Sequence, residues 1–271
     1  MGDFFVSPEH LMAKLARAQA PRLVDVRRRS AFDGADRLLP AAVWRDHLEV
    51  SRWAKELPSG GALVIYCTHG HNVSQLAAAA LRAEGLDARV LAGGIEAWIA
   101  NGYPTVGRAP FHDPASQEPS RWVTRVKPKI DRIACPWFIR RFVDSHARIL
   151  FVEPEFVLDV AAEADAVAFD VKGAPIEHEG ERCSFDTFLD RFAIEDAALR
   201  RLARIVRGAD TARPDLEPEA AGLLAASLGI SAMSSGDEEA LDRGFRLYDA
   251  LYAWLTLASG ETHNWAGKVA P

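Results

Sequence analysis

The chain has 271 residues, of which 49% are hydrophobic and 26% charged, the balance of a folded protein with room for two domains. A formal charge of −6 argues against a broad nucleic-acid surface, so nucleic acid is not an expected partner. No apolar run approaches the ~18 residues of a membrane span. Met1-Gly2-Asp3-Phe4-Phe5 does not open a basic-then-apolar leader, and the three scattered cysteines give no disulfide framework, so a cytoplasmic protein without a membrane partner is expected.

Ser7-Pro8 reads as a helix cap followed by proline in the first turn, with Leu11, Leu15 and Ala18 at helical spacing behind it. Arg22 to Val26 is of strand type. A second strand, Ala62 to Tyr66, follows the turn signal Pro58-Ser59-Gly60-Gly61 and runs directly into Cys67. Ser74 to Glu84 reads as a helix closed by Gly85. Ala88 to Leu91 is a further strand, and Gly93-Gly94 precedes a short helix through Ala97-Trp98. This alternation predicts a parallel sheet with helices on both faces.

Gly107 to Ser120 lacks periodicity and holds Pro110, Pro114 and Pro119, so it reads as a linker and boundary. The expected division is a first domain over 1–107, a linker over 108–120 and a second domain over 121–271. In the second, Trp122 to Val126, Ile149 to Val152 and Ala166 to Val171 read as strands and Pro136 to Val143 as a helix. Helices are then expected over Phe185 to Arg207, Pro218 to Leu228 and Asp237 to Ala258. The fold class is α/β, with a second α/β domain that is mainly helical in its C-terminal half.

Cys67 carries the sharpest chemical signal. An apolar strand delivers it to the C-terminal edge of a parallel sheet, where open α/β folds bind ligands. The following loop, Thr68-His69-Gly70-His71-Asn72-Val73, leads into a helix, so loop amides and the helix N-terminus form an anion cradle. The same field stabilises a thiolate, the reactive form of cysteine. His69 and His71 could add positive charge or a proton there, with plain solvated loop residues as the alternative.

Cys67 to Asn72, with Gly70 in the glycine place, resembles the six-residue active-site loop of the rhodanese family. Asp25-Val26-Arg27, Leu39-Pro40-Ala41-Ala42 and Gly93-Gly94-Ile95-Glu96-Ala97-Trp98 resemble three further motifs of that family, in order, over about 4–107. The resemblance implies a sulfurtransferase with Cys67 as nucleophile, Asp25 and Arg27 in support, and a small sulfur donor and a thiol acceptor as partners. It implies no cofactor for sulfur transfer. The chain departs from the family at Leu38 (usually histidine), Ala41 (usually glycine) and Asn72 (often basic), which predicts that thiosulfate is a poor donor. Val73 stands where related phosphatases need arginine, which argues against phosphoryl transfer.

Residues 121–148 hold eight basic and two acidic side chains, a composition that suits either a solvated basic edge or a compact oxyanion. The run Trp122-Val123-Thr124-Arg125-Val126-Lys127-Pro128-Lys129-Ile130-Asp131-Arg132-Ile133-Ala134-Cys135-Pro136-Trp137 resembles the start of the C-terminal domain of the ChrB chromate-resistance family. Phe169-Asp170-Val171, Glu177 to Asp186, Ile205 to Thr211 and Tyr248 to Trp254 continue that resemblance over about 121–266. It implies chromate or another tetrahedral oxyanion as a partner, with Arg125, Lys127, Lys129, Arg132 and His178 as contacts. Members of that family usually carry a regulator-like N-terminal part, where this chain has the rhodanese-like segment. Cys135, His178, Cys183 and His263 are the candidate ligands of a transition metal, with ordinary burial and hydrogen bonding as the alternative. Asp131, Glu177 and Asp210 read as partners for the basic groups. Two functions therefore stand open: an enzyme of sulfur transfer, and a non-catalytic oxyanion or metal sensor. DNA-linked regulation through the basic stretch is a weaker third.

Overall fold

Residues 4–57 and 60–261 are described by the computed structural model. The first half runs β1 (Phe5–Val6), α1 (Pro8–Ala16), β2 (Arg22–Asp25), α2 (Arg29–Asp33), β3 (Arg37–Leu38), β4 (Val43–Trp44), α3 (Val50–Trp53) and β5 (Leu63–Tyr66). It continues through α4 (Asn72–Ala83), β6 (Ala88–Leu91), α5 (Gly94–Ala100) and β7 (Val106–Gly107). The Ser7 hydroxyl accepts from His10 N at 3.2 Å, capping α1 as the sequence predicts.

The main sheet has the order β1-β6-β5-β2-β4 with every pair parallel. Strand β5 is central and all four of its residues are buried, as a strand covered on both faces requires. The chain therefore leaves Tyr66 at the C-terminal edge of the middle strand. β1, β3, β4 and β7 are two residues long, too short to show a period of two, and sequence patterning missed them.

The second half runs β8 (Arg121–Arg125), α6 (Asp131–Phe138), β9 (Arg148–Val152), α7 (Val157–Glu163) and β10 (Val167–Ala168). The helices α8 (Ser184–Arg191), α9 (Ala197–Asp210), α10 (Ala220–Met233) and α11 (Asp237–Ala253) follow. β8 lies between β10 and β9 in a parallel three-stranded sheet. The single helix expected over Phe185 to Arg207 is two. The chain turns at Ala193, whose φ is +48°, and Asp196 starts the next helix by accepting from Leu199 N at 2.7 Å. α6 begins before Pro136 and holds that proline inside. The missing N–H is followed at once by a wider π turn over Ile139–Val143.

The two halves pack through one apolar core that runs from Leu11 and Trp98 to Trp137 and Phe142. Backbone bonds cross between them, from Ala41 N to Phe142 O at 2.6 Å and from Gly107 N to Phe192 O at 2.8 Å. The 108–120 connection carries no helix or strand. It is nonetheless tied down: Trp44 N donates to Pro114 O at 2.7 Å and Arg108 Nη2 donates to Phe32 O at 2.6 Å. No helix among the described residues is long and apolar enough to cross a membrane.

Trp122 is fully buried, rests against Phe188 and Phe111, and donates Nε1–H to Ser120 Oγ at 3.0 Å. Trp122→Ala is expected to cost about 3–5 kcal/mol through the cavity it leaves, read as a lower midpoint in urea unfolding.

Candidate active site and a buried carboxylate cluster

Cys67 follows β5 directly and is 6% exposed. Its Sγ lies 3.2 Å from Ser74 Oγ, and that hydroxyl is 3.1 Å from His71 O. Ser74 can therefore accept from the thiol while donating to His71, or turn its proton to a thiolate. Among the described residues no oxygen accepts from the N–H groups of Thr68, His69, Gly70 or His71. α4 begins at Asn72, and its first amides have no partner inside the helix. These amides are therefore left without an acceptor in the loop that follows the cysteine.

Two glycines hold the loop against the next turn. Gly70 has φ +69°, and a Cβ there would lie 2.5 Å from Leu91 O and 2.8 Å from the nitrogens of Gly93 and Gly94. Ile95 N donates to Cys67 O at 3.0 Å and Glu96 N to Thr68 O at 3.2 Å. The Gly93-Gly94 stretch is therefore the floor of the loop, a role that its position in the sequence did not reveal. His69 Nδ1 sits 2.9 Å from Glu96 Oε2 on the surface. His71 and Asn72 are exposed and Val73 is half-buried.

Asp25 and Arg27 form a buried ion pair near Tyr66. Their side chains are 0% and 5% exposed, and Arg27 Nε donates to Asp25 Oδ2 at 2.8 Å. The guanidinium stands 5.9 Å from the ring centre of Tyr66, the residue before Cys67. Burial disfavours its charge, but the Asp25 partner outweighs that and holds Arg27 above its usual range. Arg27→Ala leaves the Asp25 carboxylate buried without its partner, and a loss of about 3–5 kcal/mol is expected, measurable by chemical denaturation.

In the second half the structure gathers carboxylates. Asp131 opens α6, Asp170 follows β10 and Asp210 ends α9. His178 Nε2 lies 3.1 Å from Asp131 Oδ2, 3.3 Å from Asp170 Oδ1 and 3.4 Å from Asp210 Oδ2. Hydrogen bonds to Asp131 and then Asp170 push the His178 imidazole up to about 10. Burial would raise Asp170, but bonds from His178 and Arg125 prevail and hold it at about 2. Asp131 goes the other way: burial, then the charge of Asp170, push it well above the carboxylate range. Asp170 holds φ +57°, a conformation an L residue rarely adopts.

The basic residues expected to meet an oxyanion divide here. Arg125 Nη2 is 2.7 Å and Arg132 Nε 3.3 Å from Asp170 Oδ2, whereas Lys127 and Lys129 are exposed. Glu177 Oε2 accepts from Gly173 N at 2.7 Å and closes its own loop. Of the residues expected to bind a metal, Cys135 and Cys183 are fully buried. Burial, then the charge of Asp131, push both thiols well above their usual range, and Cys183 Sγ donates to Asp186 Oδ2 at 3.5 Å. His263 lies outside the described residues. What faces His178 is oxygen, from Asp131, Asp170 and Asp210. Their spacing along the chain follows no motif, and only the fold brings them together. A separate cavity of about 670 Å³ between the halves is lined by Arg45, His112, Arg141 and Asp249, and neither Cys67 nor His178 lines it.

Residues 7–101 match the family model of the rhodanese-like domain and residues 122–255 that of the ChrB C-terminal domain. Protein ChrB of Cupriavidus metallidurans is 35% identical over 162 residues, covering 58% of this chain. The chain spans about half the length of that curated relative, 48% of it. A rhodanese-related protein of Thermoplasma volcanium is 26% identical over 37% of this chain and 95% of its own, with a TM-score of 0.33. A rhodanese homologue of Thermus thermophilus is 34% identical over 34% of this chain and 98% of its own, with a TM-score of 0.29.

Proposed function

We propose that this chain, which carries a rhodanese-like domain at residues 7–101 and a ChrB C-terminal domain at 122–255, is a sulfurtransferase of chromate resistance that carries sulfur as a persulfide on Cys67. The observation that supports this most is the setting of Cys67. It follows the central strand directly, its Sγ is 3.2 Å from the Ser74 hydroxyl, and the N–H groups of Thr68 to His71 have no acceptor among the described residues. Donors fixed beside the sulfur would stabilise a thiolate, and afterwards a persulfide anion, without reorganising.

The Cys67 thiolate attacks the outer sulfur of a donor. The donor's S–S bond breaks, Cys67 becomes Cys67–S–S⁻, and the leaving group departs as sulfite from thiosulfate or as a thiolate from a small persulfide. A thiol acceptor, as thiolate, then attacks the outer sulfur, takes it as its own persulfide and restores the Cys67 thiolate. The two steps need no cofactor. All three cysteines are free, which suits a cytoplasmic setting.

The ChrB C-terminal domain links the transfer to an oxyanion. Lys127 and Lys129, exposed in the loop before α6, would meet a dianion such as chromate first, with Arg125 and Arg132 behind them. Steady-state turnover with thiosulfate or a small persulfide as donor and a thiol as acceptor tests the enzyme reading. Release of sulfite or of the donor thiol in step with acceptor persulfide supports it. Absence of turnover with both donors favours the second reading, an anion-binding module. One observation suits that module: Asn72 ends the loop without a positive charge, and His69 is held outward by Glu96.

A further inference from the structure

We infer that Asp131, Asp170 and His178, with Asp210 beside them, form a binding site for a divalent first-row cation such as Mn²⁺ or Zn²⁺. One ligand atom from each of Asp131, Asp170 and His178 lies within 4.8 Å of the others, and His178 Nε2 is 3.1–3.4 Å from oxygens of all three aspartates. A ring nitrogen carries one proton at most, so it can serve one of those oxygens as a donor and not three. Bonds of about 2.0–2.2 Å to one cation place neighbouring ligand atoms about 2.8–3.6 Å apart, from octahedral to tetrahedral angles, and the distances from His178 to the aspartates fall in that range.

A second observation is independent of the clustering. The Asp131 side chain is 3% exposed, and among the described residues His178 is its one hydrogen-bond donor. No arginine or lysine among the described residues pairs with it, and a buried carboxylate without a fixed cation is costly unless a metal ion balances it. Asp170 differs: Arg125, Arg132 and Ser184 Oγ, the last at 2.8 Å, all reach it. That support orients a ligating carboxylate and stops it from collapsing onto its neighbours. The His178 ring is 42% exposed, which leaves a path for the ion. Oxygen ligands with one imidazole select a hard or borderline cation over Cu(I). Of the candidates that the sequence offers for a metal, Cys135, His178, Cys183 and His263, this site uses His178 and replaces sulfur with carboxylate oxygen.

The test uses the full chain, stripped with a chelator and titrated with MnCl₂ under electron paramagnetic resonance, then with ZnCl₂ by calorimetry. One ion per chain is expected, with a rise in the unfolding midpoint on loading. His178→Ala, at a half-exposed ring, and Asp131→Asn are each expected to weaken binding by about 100-fold or more, with circular dichroism confirming that both fold. No binding of either ion by the wild-type chain would overturn the proposal. So would binding that survives in a folded His178→Ala protein.

Discussion

Cys67→Ser is expected to lower sulfur transfer by about 10³-fold or more, because it removes the nucleophile itself. A serine oxygen cannot form a persulfide, and no neighbouring thiol can take over. Cys135 and Cys183 are fully buried in the other half of the molecule, with thiols held well above their usual range. The loss should fall on turnover with either donor. Folding should be little affected, since the exchange is nearly isosteric and Ser74 remains beside it as a hydrogen-bond partner. Ser74→Ala should give a smaller loss, about 10-fold, by removing one charge-assisted donor to sulfur. Transfer that survives in Cys67→Ser at wild-type rate would remove Cys67 from the mechanism.

Gly94→Ala is expected to destabilise the chain by about 3–5 kcal/mol, the sum of a strained φ and two lost backbone hydrogen bonds. At φ +63° an added Cβ would fall on the carbonyl oxygens of Cys67 and Thr68 and 2.6 Å from Gly70 N. Those two carbonyls accept from Ile95 N and Glu96 N, so the clash strikes the bonds that set the height of the Cys67 loop. In whatever fraction folds, a loop displaced by ~1 Å should lose about 10²-fold in transfer rate. Gly85→Ala is the matched control. Its φ is +82°, but nothing lies within 4 Å of the added Cβ, so about 1–2 kcal/mol of backbone strain is all that is expected. Urea unfolding of both variants separates steric pressure on the loop from the general cost of a left-handed residue.

The first half was legible because its signals are local. The apolar run Leu63–Tyr66 ends at Cys67, Gly70 sits in the loop, and the Ala-rich α4 follows. Each of these announces itself within a dozen residues. The two-residue strands left no such trace. Ala41, in a place where the family usually has glycine, adopts φ +51°, with its N–H tied to Phe142 O in the other half.

The second site was legible only in part, for a physical reason. The sequence marks His178, and marks Asp131, Glu177 and Asp210 as partners for the basic groups. Arg125 and Arg132 converge on Asp170, while Asp131 and Asp210 face the imidazole. Three carboxylates at the ends of three different elements have no periodicity to find. Cysteines drew the metal reading toward sulfur, and burial of both thiols away from any listener in solution was invisible without the fold.

A persulfide on Cys67 is tested most directly by the intact mass of the reduced full chain after incubation with thiosulfate or a small persulfide. A gain of one sulfur atom is expected, located by peptide mapping on the peptide that contains Cys67, discharged by a thiol acceptor and absent from Cys67→Ser. An unchanged mass with both donors, or a gain mapped to Cys135 or Cys183 instead, would contradict it.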